Sequence, residues 1–253
     1  MGEGKIIVVA NQKGGVGKST ICMSLSNYLA NEMKFNIGGI IDTDFQQSIS
    51  RRRKTDKERN EGTSNIPSYE VTSFNLDNYS KIPDLAEELK KTDCIYIFDT
   101  PGRLNHQGIV ILLAIADIII IPFNYDLLNI SSTFQFLIFW NNLKNRYEEE
   151  QNLKLKARLI FIPMQIDPRI GTVAEQEVWK DIRKKLKGVG KIAPIIKYSA
   201  DMKRCDTYML TPKQKMAVSD TYDFVIDCIY NPDSLNHTNE NDLEDDEDNI
   251  PGS

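Results

Sequence analysis

The sequence predicts a doubly wound α/β domain, in which a mainly parallel sheet carries helices on both faces. Short apolar runs alternate with segments of helical periodicity along most of the chain, as strands joined by crossover helices do. The first apolar run ends in a glycine-rich segment, NQKGGVGKST at residues 11–20, and a helical segment follows directly. With 253 residues and 41% hydrophobic content, the chain can bury such a core. We expect residues 1–230 to form one domain.

Six apolar runs are expected to be strands. In chain order they are Lys5–Ala10, Asn36–Asp42, Cys94–Asp99, Asp117–Phe123, Leu159–Pro163 and Ile192–Ile196. Because helical segments separate them, we expect the strands to run parallel and to be covered on both faces.

Five segments carry a helical pattern. They are Lys18–Met33, Leu85–Lys91, Leu127–Glu149, Val173–Lys187 and Lys213–Tyr230. In the first of them, Leu25 and Leu29 are expected on the buried side. The long apolar run Ile109–Phe123 indicates a buried helix followed by a strand. The segment Ile49–Ser80 is the least regular part of the chain, so we expect a mobile excursion from the sheet.

Charge is distributed unevenly along the chain. The net charge is −5, but residues 231–253 hold eight acidic residues and no lysine or arginine, which leaves 31 basic against 36 − 8 = 28 acidic side chains elsewhere. The acidic segment is polar and has no apolar periodicity, so a disordered C-terminal tail is predicted. Such a tail could shield a basic surface, contact a partner or only aid solubility.

Three features bear on where the protein works. No run of about 20 apolar residues is present, so a membrane-spanning helix is not expected. The first residues, MGEGK, lack the pattern of a signal peptide. The four cysteines lie far apart and form no C-x-x-C pair, which favours reduced thiols in a cytoplasmic protein over a zinc or iron–sulfur site. These cysteines are Cys22, Cys94, Cys205 and Cys228.

The glycine-rich segment predicts a phosphate cradle. A strand that ends in such a turn and opens a helix directs backbone N–H groups at an anion, and glycine permits the close approach. Lys18 is placed to reach β- and γ-phosphate oxygens, and the Ser19 hydroxyl to hold Mg²⁺. Asp42, Asp44 and Asp99 follow strands and are expected at the same sheet edge. Acidic groups beside a phosphate site are consistent with a divalent ion between them.

The motif departs from the general P-loop pattern in an informative way. Gln12 stands where that pattern has its first glycine, and Lys13 precedes the glycines, giving K-G-G-x-G-K-[ST]. In this respect the sequence resembles the deviant Walker A ATPases, which include ParA, MinD and the nitrogenase iron protein. The stretch ANQKGGVGKST is most similar to the ParA partition ATPases. The later segments IIDTDFQQ, IYIFDTPG and AIADIIIIPF resemble further ParA segments in the same order.

The resemblance implies an ATPase that uses ATP and Mg²⁺ and works as a homodimer in its ATP state. Lys13 would reach the nucleotide of the other subunit, where a cation supplied in trans stabilises charge developing during phosphoryl transfer. Lys18 would serve the chain's own nucleotide, and Asp44 would orient the attacking water. The remaining implied contacts are the phosphate cradle of Gly14, Gly15, Val16 and Gly17, the α-phosphate contact of Thr20, and the Mg²⁺ site of Ser19, Asp42 and Asp99.

Two positions depart from the ParA pattern. Phe45 replaces the usual proline, and the second switch reads DTPG rather than D-x-P-P, so Gly102 is expected to make it more flexible. No guanine-reading N-K-x-D motif follows a strand; the corresponding run is FIPMQID. We therefore expect adenine, with Met164 and Gln165 near the base.

The resemblance also implies DNA segregation as the process that the ATP cycle drives. ParA-like dimers bind DNA without sequence preference in the ATP state, are then associated with the nucleoid, and hydrolyse ATP when a ParB-like adaptor stimulates them. Candidate DNA contacts are Lys180, Arg183, Lys184, Lys187, Lys203 and Arg204, of which the first four share a helical face. A second cluster, Arg51–Lys54, is diluted by Asp56 and Glu58 and is less favoured.

Other functions of P-loop proteins receive less support from the sequence. A MinD-like positioning ATPase acting on protein or membrane cargo is the main alternative, but the acidic C-terminus would be repelled by anionic lipid. An iron–sulfur reductase would need suitably paired cysteines. A biosynthetic ligase would need acid–base residues, and the only histidines, His106 and His237, are expected to be bystanders.

Overall fold

The computed structural model describes residues 3–64, 66–166, 173–197 and 199–231. Within these ranges the chain forms eight strands. They are β1 (Lys5–Val9), β2 (Ile37–Asp42), β3 (Glu70–Ser73), β4 (Ile95–Asp99), β5 (Ile118–Phe123), β6 (Arg158–Ile166), β7 (Lys191–Ile192) and β8 (Ile196–Lys197). The strand order is β3-β2-β4-β1-β5-β6-β7, and β8 pairs with the far end of β6. Every strand pairing among the described residues is parallel.

The described chain forms seven α-helices, of which the first six connect strands and the seventh follows β8. They are α1 (Lys18–Asn27), α2 (Ser48–Arg59), α3 (Ile82–Lys90), α4 (Gln107–Ile115), α5 (Leu127–Gln151), α6 (Val173–Lys187) and α7 (Pro212–Tyr230). A single π-helical turn, Tyr28–Glu32, extends α1, and 3₁₀ turns lie at Leu76–Lys81 and Met202–Arg204.

Helices cover both faces of the sheet, which confirms the predicted doubly wound fold. Successive strand residues point to opposite faces, and β1 shows the consequence. Ile6 and Val8 belong to the hydrophobic cluster that includes residues of α3 to α6, whereas Ile7 and Val9 belong to the cluster that includes residues of α1, α2 and α7. All four of these side chains are fully buried.

The predicted mobile excursion at Ile49–Ser80 is wrong for most of that segment. It contains most of α2, the edge strand β3 and most of a 3₁₀ turn. In α2 the only apolar side chain is Ile49, which is completely buried. The sequence therefore lacks the apolar periodicity that would predict this helix. Strand β3 has four residues and pairs in parallel with β2 from Gly39 to Asp42.

The predicted strand Ile192–Ile196 is two short strands, β7 and β8, separated by three residues. Pro194 lies in this gap, and proline has no N–H to donate to a strand ladder. The first helix was also predicted as one continuous element to Met33. It changes to π-helical hydrogen bonding at Tyr28, whose carbonyl accepts from the Met33 N–H at 3.1 Å.

Two expectations lie outside the described residues. The acidic segment is described only at Asn231, and His237 is not described, so the order of the tail stays a prediction. Among the helices that are described, none combines the length and the apolar character needed to cross a bilayer.

Candidate functional site

The loop between β1 and α1 is shaped to approach an anion closely. Gly15 and Gly17 adopt left-handed backbone angles, with φ of +78° and +96°, a region that favours glycine. Gly17 stands directly before α1, and no side chain caps that end of the helix. The first N–H groups of an α-helix and the positive end of its dipole attract anions. A Cβ added at Gly14 or Gly15 would meet no atom within 4 Å, so the loop surface is open to a ligand.

Lys18 is buried within this loop. Its Nζ donates a 2.9 Å hydrogen bond to the carbonyl oxygen of Lys13, so the side chain folds back under the glycine turn. Burial lowers the pKa of Lys18, and the charges of Asp99 and Asp44 oppose that shift. A partly desolvated ammonium that has a backbone carbonyl as its acceptor is well placed to exchange that contact for a phosphate oxygen.

Asp99 ends β4 and is the most deeply buried acid of the site. Its Oδ2 accepts a 2.6 Å hydrogen bond from the Ser19 hydroxyl, and its Oδ1 accepts a 3.7 Å contact from the Cys22 thiol. Burial raises the pKa of Asp99 to about 7; the charge of Asp42 adds to the rise, while the Ser19 hydrogen bond and Lys18 oppose it. A neighbouring cation would favour the ionised form of this carboxyl.

Asp42 lies beside Asp99 because the two residues are register partners on β2 and β4. Its Oδ2 accepts from the backbone N–H and the hydroxyl of Ser50, at 2.9 and 3.0 Å. Ser50, which sequence reasoning missed, therefore ties the first turn of α2 to this carboxylate. The sequence feature that could have identified Ser50 is its position shortly after the segment IIDTDFQQ.

The donor set fits Mg²⁺. The described residues contain no group of three or more His, Cys, Asp or Glu side chains arranged to hold a metal ion. Mg²⁺ is usually held by one or two carboxylates together with waters and substrate phosphates. Ser19, Asp42 and Asp99 offer that kind of incomplete, all-oxygen site beside the phosphate loop.

Asp44 lies in the loop that follows β2 and is half-buried. Its backbone N–H donates to Asp42 Oδ1 at 3.3 Å, and its own Oδ1 accepts from the Gln46 N–H at 2.9 Å. Thr43 fixes the start of this loop, because its N–H and hydroxyl both donate to the Asp99 carbonyl, at 3.0 and 2.6 Å. The loop is thus joined to the end of β4.

A third loop, residues 100–106, approaches the phosphate loop and the loop that follows β2. A Cβ added at Gly102 would lie 3.0 Å from the backbone nitrogen of Gly14. The glycine therefore permits backbone contact between the two loops, and its predicted flexibility stays a prediction. The ring of His106 packs edge-on against the ring of Phe45 with centroids 6.0 Å apart, and its Nδ1 accepts from the Gly108 N–H at 3.0 Å, capping α4. His106 thus has a structural role in joining the two loops.

A small pocket adjoins Thr20, the residue predicted to contact the α-phosphate. Met164, one of the two predicted base neighbours, lines it, whereas the side chain of Gln165 lies outside the described residues. Sequence reasoning missed two further apolar residues that line the pocket, Ile196 and Met202. Ile196 lies at the end of the predicted strand Ile192–Ile196, but Met202 lies in a 3₁₀ turn that no sequence pattern predicted. The remaining lining residues are Lys197, Ser199 and Lys203.

An open groove of about 740 Å³ runs beside the phosphate loop, between residues 102–105 and α5. Gln12 and Ile138 are among the residues that line it, and Ile138 is 61% exposed.

The structure separates the predicted DNA contacts into two groups. Lys180, Lys184 and Lys187 are exposed on α6, but Arg183 is buried, and its Nη1 donates to the Tyr125 hydroxyl at 3.3 Å. The prediction that Arg183 shares their exposed face is therefore wrong. Helical spacing alone placed it there, and a tyrosine from a different element covers it.

Lys203 and Arg204 do not extend the basic surface of α6. The flanking residues Met202 and Cys205 belong to the hydrophobic cluster on the α1, α2 and α7 face, whereas Trp179 of α6 belongs to the cluster on the other face. The two halves of the predicted basic segment thus lie on opposite faces of the sheet.

Comparison with known proteins identifies the fold. A family model described as the CobQ/CobB/MinD/ParA nucleotide binding domain matches residues 7–246. The apo form of McdA from Cyanothece is 16% identical, with a TM-score of 0.66 and coverage of 89% of this chain and 99% of that one. A plasmid partition protein from Borrelia burgdorferi bound to AMPPNP is 21% identical, with a TM-score of 0.59 and coverage of 90% and 98%.

A biosynthetic enzyme shares the same fold. Cobyrinic acid a,c-diamide synthase from Mycobacterium smegmatis, solved with an ATP analogue and magnesium, is 19% identical, with a TM-score of 0.65 and coverage of 90% of this chain and 96% of that one. No match was found among curated protein sequences. At these levels of identity, the structural likeness shows the fold and not the activity.

Proposed function

Since the chain belongs to the CobQ/CobB/MinD/ParA nucleotide-binding domain family, we propose that it is a ParA-like ATPase that binds ATP with Mg²⁺, dimerises around the nucleotide and binds DNA non-specifically. Hydrolysis, stimulated by an adaptor protein, would end each binding cycle and so drive DNA segregation. The observation that carries the proposal is the arrangement of Lys13, Lys18, Ser19 and Asp99 around one open loop.

Nucleotide binding with Mg²⁺ would relieve two unfavourable electrostatic arrangements, that of Lys18 in the loop and that of Asp99 beside it. Lys18 is buried against a neutral carbonyl, and β- and γ-phosphate oxygens would give it charged acceptors. Asp99 is buried with its charged form disfavoured. Bound Mg²⁺ would supply positive charge to the phosphates and to the carboxylates of Asp42 and Asp99. Ser19 would then turn its hydroxyl oxygen from Asp99 toward the ion.

The chain's own residues offer the parts that hydrolysis needs. Asp44 is half-buried near the phosphate loop. Its Oδ1 accepts from the Gln46 N–H, and Oδ2 takes no part in that hydrogen bond. We assign Asp44 the orientation of the attacking water. Lys13 belongs to the same loop and is half-buried, and we assign its side chain to the nucleotide of the partner subunit. The groove beside this loop, with exposed Ile138, supports a subunit contact on that side.

The test is DNA retention by the Asp44→Ala variant, which should accumulate in its ATP state. Retention is measured on duplexes of unrelated sequence with ATP–Mg²⁺, with ADP and without nucleotide, across a salt series. We expect binding only with ATP–Mg²⁺, on every sequence, and a steep loss of affinity as salt rises.

Two results would contradict the proposal. DNA retention with ADP equal to that with ATP–Mg²⁺ would show that DNA binding does not depend on the nucleotide state. An ATP-bound dimer that retains no DNA would reject DNA segregation and favour a MinD-like ATPase with protein or membrane cargo, for which vesicles of anionic lipid are the next probe.

A further inference from the structure

We propose that the DNA backbone binds to the surface formed by α2 and residues 202–204, and not to α6. This inference rests on the DNA binding of the proposed function and locates the surface that binds DNA. We call the surface formed by Arg51, Arg52, Lys54, Lys203 and Arg204 the α2 surface.

Asp56, which lies beside the basic cluster Arg51–Lys54 in the sequence, does not lie on the surface of the folded protein. Asp56 is buried, with 2% exposure. Its carboxylate accepts from the N–H and hydroxyl of Thr207, at 2.9 and 3.0 Å, and forms a 3.0 Å ion pair with Arg52. Its charge is therefore used to hold α2 against the loop at residues 205–208. Of the two acids in α2, only Glu58 faces solvent.

One arginine of α2 is also structural, and it fixes the orientation of the helix. Arg53 is buried with its guanidinium carbon 4.8 Å from the ring centre of Tyr69 and 5.5 Å from that of Tyr208. Cation–π contacts of this kind are strengthened by desolvation. With Arg53 and Asp56 facing inward, Arg51 and Lys54 face outward; they are three positions apart and so share one side of the helix.

The 3₁₀ turn at Met202–Arg204 continues the basic surface of α2. The Nη2 of Arg52 donates to the Arg204 carbonyl at 3.4 Å, so the two segments are in contact. Lys203 and Arg204 are both exposed. Residues distant in sequence therefore form one basic surface, whereas the lysines of α6 lie on the other face of the sheet.

The chemistry of this surface fits a nucleic acid backbone better than a lipid surface. The exposed residues of α2 beyond its first turn are all polar: Arg51, Lys54, Thr55, Lys57, Glu58 and Arg59. A helix that lies in a membrane interface needs an apolar face to insert, and the apolar residue of α2, Ile49, is buried in the protein. Duplex DNA offers closely spaced phosphates that basic side chains contact without reading sequence.

The α2 surface is attached to the nucleotide site at two points. The first turn of α2 is held by Asp42 through Ser50, and Lys203 lines the pocket beside Thr20. If the Asp42 carboxylate turned toward a bound Mg²⁺, its hydrogen bonds with Ser50, which position α2, would change. The nucleotide state can therefore set the position of the basic residues, which gives DNA binding a physical link to ATP.

The test compares two triple variants in the Asp44→Ala background with ATP–Mg²⁺. One removes charge from the α2 surface (Arg51→Ala, Lys54→Ala and Arg204→Ala), and the matched control removes three charges from α6 (Lys180→Ala, Lys184→Ala and Lys187→Ala). Nucleotide affinity and thermal unfolding are measured for both, and a charge-conserving variant (Arg51→Lys with Arg204→Lys) reports a purely structural effect of the substitutions.

We expect the α2 variant to lose on the order of 10- to 100-fold in DNA affinity near 0.1 M salt, and to lower the salt slope by up to about 2.7, since each phosphate contact contributes about 0.9. The α6 variant should stay within about threefold of the parent, and the charge-conserving variant should retain DNA.

Other outcomes overturn the inference in distinguishable ways. Unchanged DNA affinity in the α2 variant, with a loss in the α6 variant, would place the contact on α6. Binding of anionic vesicles in preference to DNA through the α2 surface would assign it to lipid. A parent protein that retains no DNA at all would refute the proposed function itself, before either surface variant is compared.

Discussion

Replacing Asp99 by asparagine should stabilise the nucleotide-free protein at alkaline pH while removing its response to Mg²⁺. The substitution keeps an oxygen that can accept from Ser19 and removes a charge that burial disfavours. The same charge becomes favourable only when a cation stands beside it. If Asp99 holds Mg²⁺ as proposed, the charge that destabilises the empty protein is the charge that favours metal binding.

The sign and size of the effect follow from the pKa of Asp99, which rises from an ordinary value of 3.8 to about 7. Between these values the folded protein holds a proton that the unfolded chain has released, so the free energy of unfolding falls as pH rises. The stabilising contribution is complete below pH 3.8 and is lost by about pH 7. At about 1.4 kcal/mol per pKa unit, the whole effect is about 4 kcal/mol, of which roughly 2–3 kcal/mol falls between pH 5 and pH 8.

The new amide group offsets part of this gain. Its NH₂ faces a thiol, Cys22, instead of a strong acceptor, and a poorly satisfied buried donor costs about 1–3 kcal/mol. We therefore expect Asp99→Asn to be about 1–3 kcal/mol more stable than the wild type at pH 8, and equal or less stable at pH 5.

Urea unfolding in EDTA, at intervals from pH 5 to pH 8.5, measures this difference. Glu61→Gln, which makes the same chemical change at an exposed position, serves as the control and should follow the wild type. A difference between Asp99→Asn and the wild type that does not change with pH would refute the reasoning, because the linkage requires it to grow as pH rises.

Two further predictions concern the phosphate loop. Gly102→Ala should weaken ATP binding at least tenfold, because its Cβ would lie 3.0 and 3.2 Å from backbone atoms of Gly14 and Lys13; Gly188→Ala, whose nearest contact would be 3.4 Å, should bind ATP normally, and equal affinities in calorimetry would show that the loop contact is dispensable. Lys13→Ala should retain ATP binding but fail to form the ATP-dependent dimer, because in the proposed function its charge contacts the partner's nucleotide; a dimer seen by light scattering at wild-type ATP concentrations would exclude that role.

The parts of the structure that were predictable are those that a local pattern determines. The glycine run fixes a strand, a turn and a helix in consecutive residues, so it located Lys18 and Ser19 directly. Asp42 and Asp99 were placed together because parallel strands end at a common edge, and their register pairing confirms this. The predicted strand Asp117–Phe123 agrees with the central strand β5, Ile118–Phe123, to within one residue.

The parts that sequence reasoning missed depend on contacts between distant segments. Helix α2 has almost no apolar residues of its own and is held by Asp56 and Arg53, whose partners Thr207 and Tyr208 lie some 150 positions further along the chain. The burial of Arg183 similarly depends on Tyr125. Charge counts along the sequence treated these residues as surface charges, whereas their partners place them inside.

Calorimetric titration with ATP–Mg²⁺ tests the central claim most directly. We predict one site per chain in the wild type, a loss of binding in EDTA, and no measurable binding in Lys18→Ala, because the buried Lys18 ammonium is the proposed partner of the phosphates. Thermal unfolding of the empty variant confirms that it is folded. The absence of binding by the wild type, or equal affinity in Lys18→Ala, would contradict the assignment of residues 11–20 as a nucleotide cradle.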